Sequence, residues 1–258
     1  MKKKVVLITG GGKNIGYDIS CLFIEKGYDV CITGRNKDEI DGIAKKLQDA
    51  YHANVKGYVL ELSDMESIAK LKADFEKDFS TLDVLVCNAA HLGVDLDIYT
   101  ANEKQFDAVF DTNVKGNFFL IQQFVPLMQA NGSGSIVLIS SVQSKGAVEG
   151  RTVYGMSKGA MNVMNKYLAY DLAPYKIRVN AVVAGAVHSD RWDALSQEVA
   201  DARRRNYPLG REASAREVSN AVFYLADDVS NATTGSEIMV ESGVMLSILP
   251  YRDRKNHV

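Results

Sequence analysis

Val5-Val6-Leu7-Ile8-Thr9-Gly10-Gly11-Gly12-Lys13-Asn14-Ile15-Gly16 is the stretch that decides the fold. Its first residues form a short apolar, largely β-branched run, as expected of a strand buried on both faces of a parallel sheet. The glycines end that strand and permit positive φ and close backbone approach. A helix is expected over 15–26, so strand, tight turn and helix follow one another directly. The free N–H groups and partial positive charge of such a helix start favour a phosphate. A glycine cluster alone marks only a tight turn; its place between first strand and first helix makes it a nucleotide-binding expectation.

The same alternation continues along the chain. Strands are expected at Val5–Thr9, Asp29–Thr33, Val55–Leu60, Leu82–Cys87, Ser135–Ser140, Ile177–Val182 and Ile238–Val240. Helices are expected near 15–26, 37–50, 65–78, 102–130, 153–173 and 215–226. Asp64 opens one helix, and Ser214 with Glu217 three residues later forms a capping box at another. This order implies an α/β fold with a doubly wound, mostly seven-stranded parallel sheet flanked by helices. Without a linker or repeat, residues 1–258 read as a single domain, with a cofactor-binding half over about 1–100 and catalytic and substrate loops over about 101–258. Ligands bind such sheets beyond the carboxyl ends of the strands, which directs attention to loops 10–14, 34–36, 61–64, 88–100, 141–152 and 184–208.

Composition narrows the function classes. A net charge of -2 and a pI of 6.1 give no general attraction to nucleic acid or anionic membranes. Cys21, Cys31 and Cys87 sit in apolar runs and read as small buried hydrophobes of a reducing compartment. No Cys/His cluster has zinc spacing, so no metal is expected. Lys2, Lys3 and Lys4 precede an apolar run too short for a signal core or a membrane span. A cytoplasmic protein is the expectation.

Tyr154 and Lys158 lie four residues apart in a predicted helix and therefore share a face. A free tyrosine, with a pKa near ~10, exchanges protons poorly at neutral pH, and a nearby ammonium lowers that value. The spacing alone is common on solvated helix faces. Ser141 gives it company, because it follows the buried strand Ser135–Ser140 at the ligand-facing end. Asn113 lies in a helix expected to cross behind the same site.

Together these residues resemble the short-chain dehydrogenase/reductase family, in its single-domain branch of about 250 residues. Thr9-Gly10 through Gly16 looks like its TGxxxGxG turn, and Cys87-Asn88-Ala89-Ala90 like its NNAG stretch. Ser141, Tyr154 and Lys158 match its serine and YxxxK motif, and Asn113 its fourth catalytic member. Ala184-Gly185-Ala186-Val187-His188-Ser189 is similar to its PGxIxT segment. The resemblance implies a Rossmann-like fold and hydride transfer between a nicotinamide cofactor and a ketone or secondary alcohol. It further implies that Tyr154 exchanges the proton and Ser141 holds the carbonyl oxygen. Lys158 would hold the nicotinamide ribose and lower the tyrosine pKa, with Asn113 supporting a water-linked relay.

The cofactor-lining set expected on this basis begins with Gly10, Lys13, Asn14, Ile15, Gly16 and Arg35. It continues through Leu62, Asn88, Ala89, Tyr154 and Lys158 to Gly185, Val187 and Ser189. Gly34 stands where an acidic residue would bind the adenosine ribose, and Arg35 follows it, with Lys13 available from the turn. A guanidinium can bind a 2′-phosphate bidentately, so NADP(H) is preferred, with NAD(H) possible. Four departures bear on cofactor affinity: Asn14 for the middle glycine, Cys87 and Ala90 in NNAG, Ala184 for proline, and Glu241-Ser242-Gly243 for Asp-Gly-Gly.

For substrate, Gln143, His188 and Trp192 are the candidates, favouring a polar sugar, polyol or hydroxy acid. Two alternatives remain open: a 3-oxoacyl thioester reductase, and a non-catalytic cofactor-sensing protein of the same fold. The resemblance implies a homotetramer, or a homodimer, paired through helices near 111–130 and 153–173. The tail 244–258, with Leu246, Ile248, Leu249 and Tyr251, either packs across such an interface or is disordered after Pro250.

Overall fold

A computed structural model describes residues 3–246 of the chain. In the first half, β1 (Val5–Ile8), β2 (Asp29–Gly34), β3 (Val55–Val59) and β4 (Val84–Cys87) alternate with α1 (Asn14–Glu25), α2 (Lys37–Tyr51) and α3 (Met65–Asp78). Next come α4 (Glu103–Phe110), a π-helical stretch Asp111–Gly116 and α5 (Asn117–Asn131). The second half continues with β5 (Gly134–Ser141), α6 (Thr152–Leu172) and β6 (Ile177–Ala184). Then follow α7 (Asp190–Asp193), α8 (Gln197–Arg204), α9 (Ala215–Ala226) and β7 (Glu237–Val240).

Among the described residues, seven strands pair in parallel in the order β3-β2-β1-β4-β5-β6-β7. The order reverses between β1 and β4, and the crevice beyond their carboxyl ends is where a doubly wound sheet receives a ligand. Apolar side chains on both faces explain the unbroken apolar strands. On one face Phe75, Leu120, Phe124 and Met161 cover the sheet, with Phe75 and Phe124 edge to face at 5.3 Å. On the other, Ile19, Phe23, Ile40, Leu47 and Val222 do so. Cys21, Cys31 and Cys87 are buried and free, as their apolar settings predict.

Local signals at helix starts are borne out. Asp64 accepts from the Glu66 amide at 2.9 Å, and Ser214 and Glu217 form the reciprocal capping box. The continuous helix expected over 102–130 is a correction: it is interrupted at Asp111–Gly116. Helical periodicity does not register one extra residue in a turn. The interruption coincides with a contact distant in sequence, since a Cβ on Gly116 would lie 2.2 Å from the Leu62 carbonyl oxygen. The 184–208 loop likewise contains the short helices α7 and α8. The expected interface residues Ile248, Leu249 and Tyr251 lie outside the described residues.

The Gly116 contact gives a stability prediction. Gly116→Ala should destabilise the fold by about 1–3 kcal/mol in urea unfolding, because both sides of the contact are backbone. Gly42→Ala is the matched control: it lies within α2 with no atom near its Cβ position. It should stabilise by about 0.5–1 kcal/mol. Equal midpoints for the two variants would contradict the close approach.

Candidate active site

The carboxyl ends of β1, β2, β4, β5 and β6 open into one cleft of 1490 Å³. That exceeds the roughly 300–1,000 Å³ of a site for one drug-sized ligand and suits a dinucleotide together with a substrate. Across the strand order, its wall runs from Arg35 after β2, through the glycine turn and Asn88, to Ser141 and Gly185. A second cavity of 600 Å³ lies at the opposite ends of the strands, beside Lys4, Asp83 and Arg178. Arg178 is spent there on the carbonyls of Leu225, Thr233, Ala226 and Asp227, which makes it a loop anchor.

The glycine turn is shaped by backbone demands. Gly10 has φ 62° and Asn14 φ 48°, so asparagine does adopt the left-handed conformation in place of the middle glycine. A Cβ on Gly16 would lie 2.1 Å from the Gly10 carbonyl oxygen, which excludes any larger residue. The start of α1 has no side-chain cap and no acidic residue in its first turn, leaving its N–H groups to a ligand. The turn is pinned to β4 by a clasp that the sequence did not announce. Thr9 Oγ1 accepts from the amides of Asn88 at 2.9 Å and Ala89 at 3.0 Å. Asn88 Nδ2 returns the contact to the carbonyls of Thr9 at 2.9 Å and Gly10 at 3.2 Å. Ser20 Oγ and Thr33 Oγ1 hold the other side of the turn. Asn88 thus lines the cleft while its amide nitrogen serves the turn.

These features fit a pyrophosphate-bearing cofactor. At the β2 end, Gly34 brings no carboxylate and the exposed Arg35 lines the rim. Lys13 lies there too, paired with the Glu39 carboxylate at 2.7 Å. Leu62, Ala89, Gly185 and Val187 also line the cleft, whereas Ser189 does not. The Ser189 carbonyl instead accepts from Trp192 N at 2.7 Å.

At the other end, Ser141, Tyr154 and Lys158 come together. Ser141 ends β5, and its hydroxyl oxygen accepts from the Gln143 amide at 3.2 Å. Burial pushes the Tyr154 phenol up to about 12, opposed by a hydrogen bond with Ser141 and by the Arg151 charge. Lys158 is 2% exposed and donates to the Ile139 carbonyl at 2.7 Å. Its Nζ faces the Tyr154 ring, 5.6 Å from the centroid. Burial lowers the Lys158 pKa to about 8.

Asn113 stands behind the site, wholly buried and outside the cleft wall. Its Oδ1 accepts from His91 N at 2.7 Å, and its Nδ2 donates to His91 O and to Ser157 Oγ, each at 2.9 Å. Ser157 Oγ in turn donates to the Tyr154 carbonyl at 2.7 Å. Asn113 therefore ties the 88–93 loop to the helix that carries Tyr154.

None of the substrate candidates Gln143, His188 and Trp192 lines the cleft. Gln143 has a buried Oε1 without a hydrogen-bond partner among the described residues. His188 lies between Glu212 and Asp193, and Trp192 is buried beneath the Arg203 and Arg204 guanidinium groups. The cleft wall on this side is instead made by His91, Leu92, Gly93, Val94 and Ala108. Glycine and aspartate punctuation conceals that wall in the sequence, since its apolar members are spread over two elements.

Lys158 gives a pH prediction with a definite sign. Its folded pKa lies below its unfolded value of 10.5, so between those values the unfolded state binds more protons. Folding stability attributable to this lysine therefore rises with pH across that window. Urea midpoints of the wild type should gain on those of Lys158→Met between about pH 8 and about pH 10. A constant difference between the two curves would mean that Lys158 is not titrating as a buried amine.

A family model described as enoyl-(acyl carrier protein) reductase matches residues 10–245. A 3-oxoacyl-(acyl-carrier-protein) reductase of Rickettsia bellii is 34% identical over 243 residues, covering 94% of this chain and 97% of that protein. A 3alpha-hydroxysteroid dehydrogenase of Mediterraneibacter gnavus is 30% identical over 242 residues, 93% of this chain and 96% of that one. Among solved structures, gluconate 5-dehydrogenase from Burkholderia cenocepacia, in complex with NADP and tartrate, superposes with a TM-score of 0.89 at 25% identity. That match covers 96% of this chain and 97% of the other. With its parallel sheet, glycine turn and Ser141-Tyr154-Lys158 set, the chain belongs to the short-chain dehydrogenase/reductase family of oxidoreductases.

Proposed function

We propose that this oxidoreductase transfers a hydride between NADP(H) and the carbonyl of a 3-oxoacyl thioester. The observation that carries the reading is the cleft itself, with Ser141, Tyr154 and Lys158 gathered at one end and Arg35, preceded by Gly34 instead of an acidic residue, at the other. The cofactor, when bound, supplies or accepts the hydride. The glycine turn and the start of α1 hold its phosphates, and Arg35 binds the 2′-phosphate. Ser141 donates to the substrate carbonyl oxygen, and Tyr154 delivers the proton as that oxygen becomes an alkoxide. Lys158, released from Ile139, holds the nicotinamide ribose. Asn113 acts through Ser157 by fixing the start of α6.

Two observations favour the thioester over the polar sugar or hydroxy acid expected from the sequence. The polar candidates Gln143, His188 and Trp192 fall outside the wall, while Leu92, Val94 and Ala108 lie within it. The 3-oxoacyl reductase of Rickettsia bellii points the same way. The gluconate dehydrogenase likeness supports the sugar-acid reading as the second choice. Assembly into a homodimer or homotetramer is supported by exposed Phe118 and Phe119 on α5 and Val163, Tyr167 and Tyr170 on α6.

The test is NADPH oxidation with acetoacetyl-coenzyme A, run beside 5-ketogluconate and repeated with NADH. Turnover of the thioester with NADPH is expected, and turnover of the keto acid alone would move the assignment to the second reading. NADPH binding without turnover of any ketone would favour a cofactor sensor. Arg35→Asp should lower NADPH efficiency by about 10-fold or more relative to NADH, as loss of a charge-assisted phosphate contact implies. An unchanged ratio would remove Arg35 from the phosphate site.

A further inference from the structure

The chain leaves β6 along the cleft wall through Gly185 and Val187 and returns to the same point at Ala213, which bridges Val187 in parallel. Backbone bonds stitch the two ends: His188 N donates to Ala213 O at 2.8 Å, and Ala213 N to Ala186 O at 3.1 Å. Between them runs an excursion carrying α7 and α8. The excursion therefore begins and ends at Val187, which itself lines the cleft.

One buried carboxylate gathers its attachments. Glu212 is 6% exposed and takes a bidentate contact from Arg204 of α8, with Nε and Nη2 each at 2.8 Å. The same carboxylate lies 2.9 Å from His188 Nδ1. The other ring nitrogen, Nε2, lies 3.0 Å from Asp193 Oδ1 of α7. His188 of the stitch and Arg204 of α8 thus meet on Glu212, and Asp193 of α7 joins them through His188. An imidazole between two carboxylates satisfies both only by donating from both nitrogens, which requires the cation.

We infer that Glu212 is a positioning residue: through Arg204 and a doubly donating His188 it seats the 188–213 excursion against the cleft and sets substrate affinity. The effect on affinity rests on the proposed reading of the cleft; the seating does not.

The charges facing His188 among the described residues are Glu212 and Asp193. Arg204 lies across Glu212, and Asp201 lies behind Arg204 at 3.6 Å. Arg204, followed by His188, holds Glu212 at about 2, so this carboxylate stays ionised at working pH. Glu212 raises the His188 pKa most, burial opposes it, and Asp193 adds to the rise. The contribution of the cation is therefore complete below the ordinary histidine range and is lost as pH rises through the raised value. The one remaining N–H then serves buried Glu212, and exposed Asp193 lets go.

Arg203 and Arg205, exposed at the end of α8, make the seating measurable by limited trypsin digestion of the full chain. Cleavage after residues 203–205 is followed by mass spectrometry and normalised to the denatured chain at each pH. Glu212→Gln should be cut about fivefold faster than wild type near pH 6, and the gap should narrow near pH 8.5 as His188 discharges. With acetoacetyl-coenzyme A, the same variant should raise KM about tenfold while kcat and the NADPH KM change less than about twofold. Asp193→Asn, at the exposed end, keeps the test available if Glu212→Gln fails to fold: it should speed cleavage near pH 6 and leave it unchanged near pH 8.5. Equal cleavage of variant and wild type at both pH values overturns the inference whatever the kinetics show. So does a fall in kcat with KM unchanged. The expected cleavage pattern without turnover of any ketone would sustain the seating and refute the proposed function instead.

Discussion

Thr9 Oγ1 sits between the backbone amides of Asn88 and Ala89, and Asn88 reaches back to the carbonyls of Thr9 and Gly10. This clasp joins the ends of β1 and β4, the pair at which the strand order reverses. It costs no desolvated orphan, because each buried polar group meets another. It also explains why glycine is required at position 16, where a Cβ would strike both the Gly10 carbonyl and the Asn88 amide. The turn that presents α1 to a phosphate is therefore rigid before any ligand arrives.

The same economy appears at the reacting end. Lys158 is buried with the Ile139 carbonyl as its partner, and Tyr154 is half-buried beside Ser141. Both pKa values are displaced against the charged form, by burial in each case. A tyrosine raised to about 12 remains protonated and ready to donate, which suits carbonyl reduction.

Much of this was legible in the residues. Short apolar runs fixed the parallel strands because both faces of the sheet are covered, and the glycine turn declared its own helix. Ser141, Tyr154 and Lys158 were recoverable because strand end and helical spacing determine where side chains point. The π-helical interruption at Asp111–Gly116 was not, since its associated Leu62 contact lies far away in sequence. Nor were the side-chain partners: residue type says that Asn113 can hydrogen-bond, but not that His91 and Ser157 absorb its capacity. Gln143, His188 and Trp192 look like substrate contacts on polar loops, and only packing reveals that none of them lines the cleft. Glu212 had no signal at all, being one carboxylate among many until Arg204 and His188 close on it.

The central claim is that Tyr154 delivers the proton to a carbonyl held by Ser141. Single-turnover stopped-flow oxidation of bound NADPH by acetoacetyl-coenzyme A tests it most directly, comparing wild type with Tyr154→Phe. Loss of a general acid predicts a fall of about 10²–10⁴-fold in the hydride-transfer rate, with NADPH affinity within about threefold. A rate within about threefold of wild type, at equal NADPH occupancy, would contradict the assignment and place the proton donor elsewhere in the cleft.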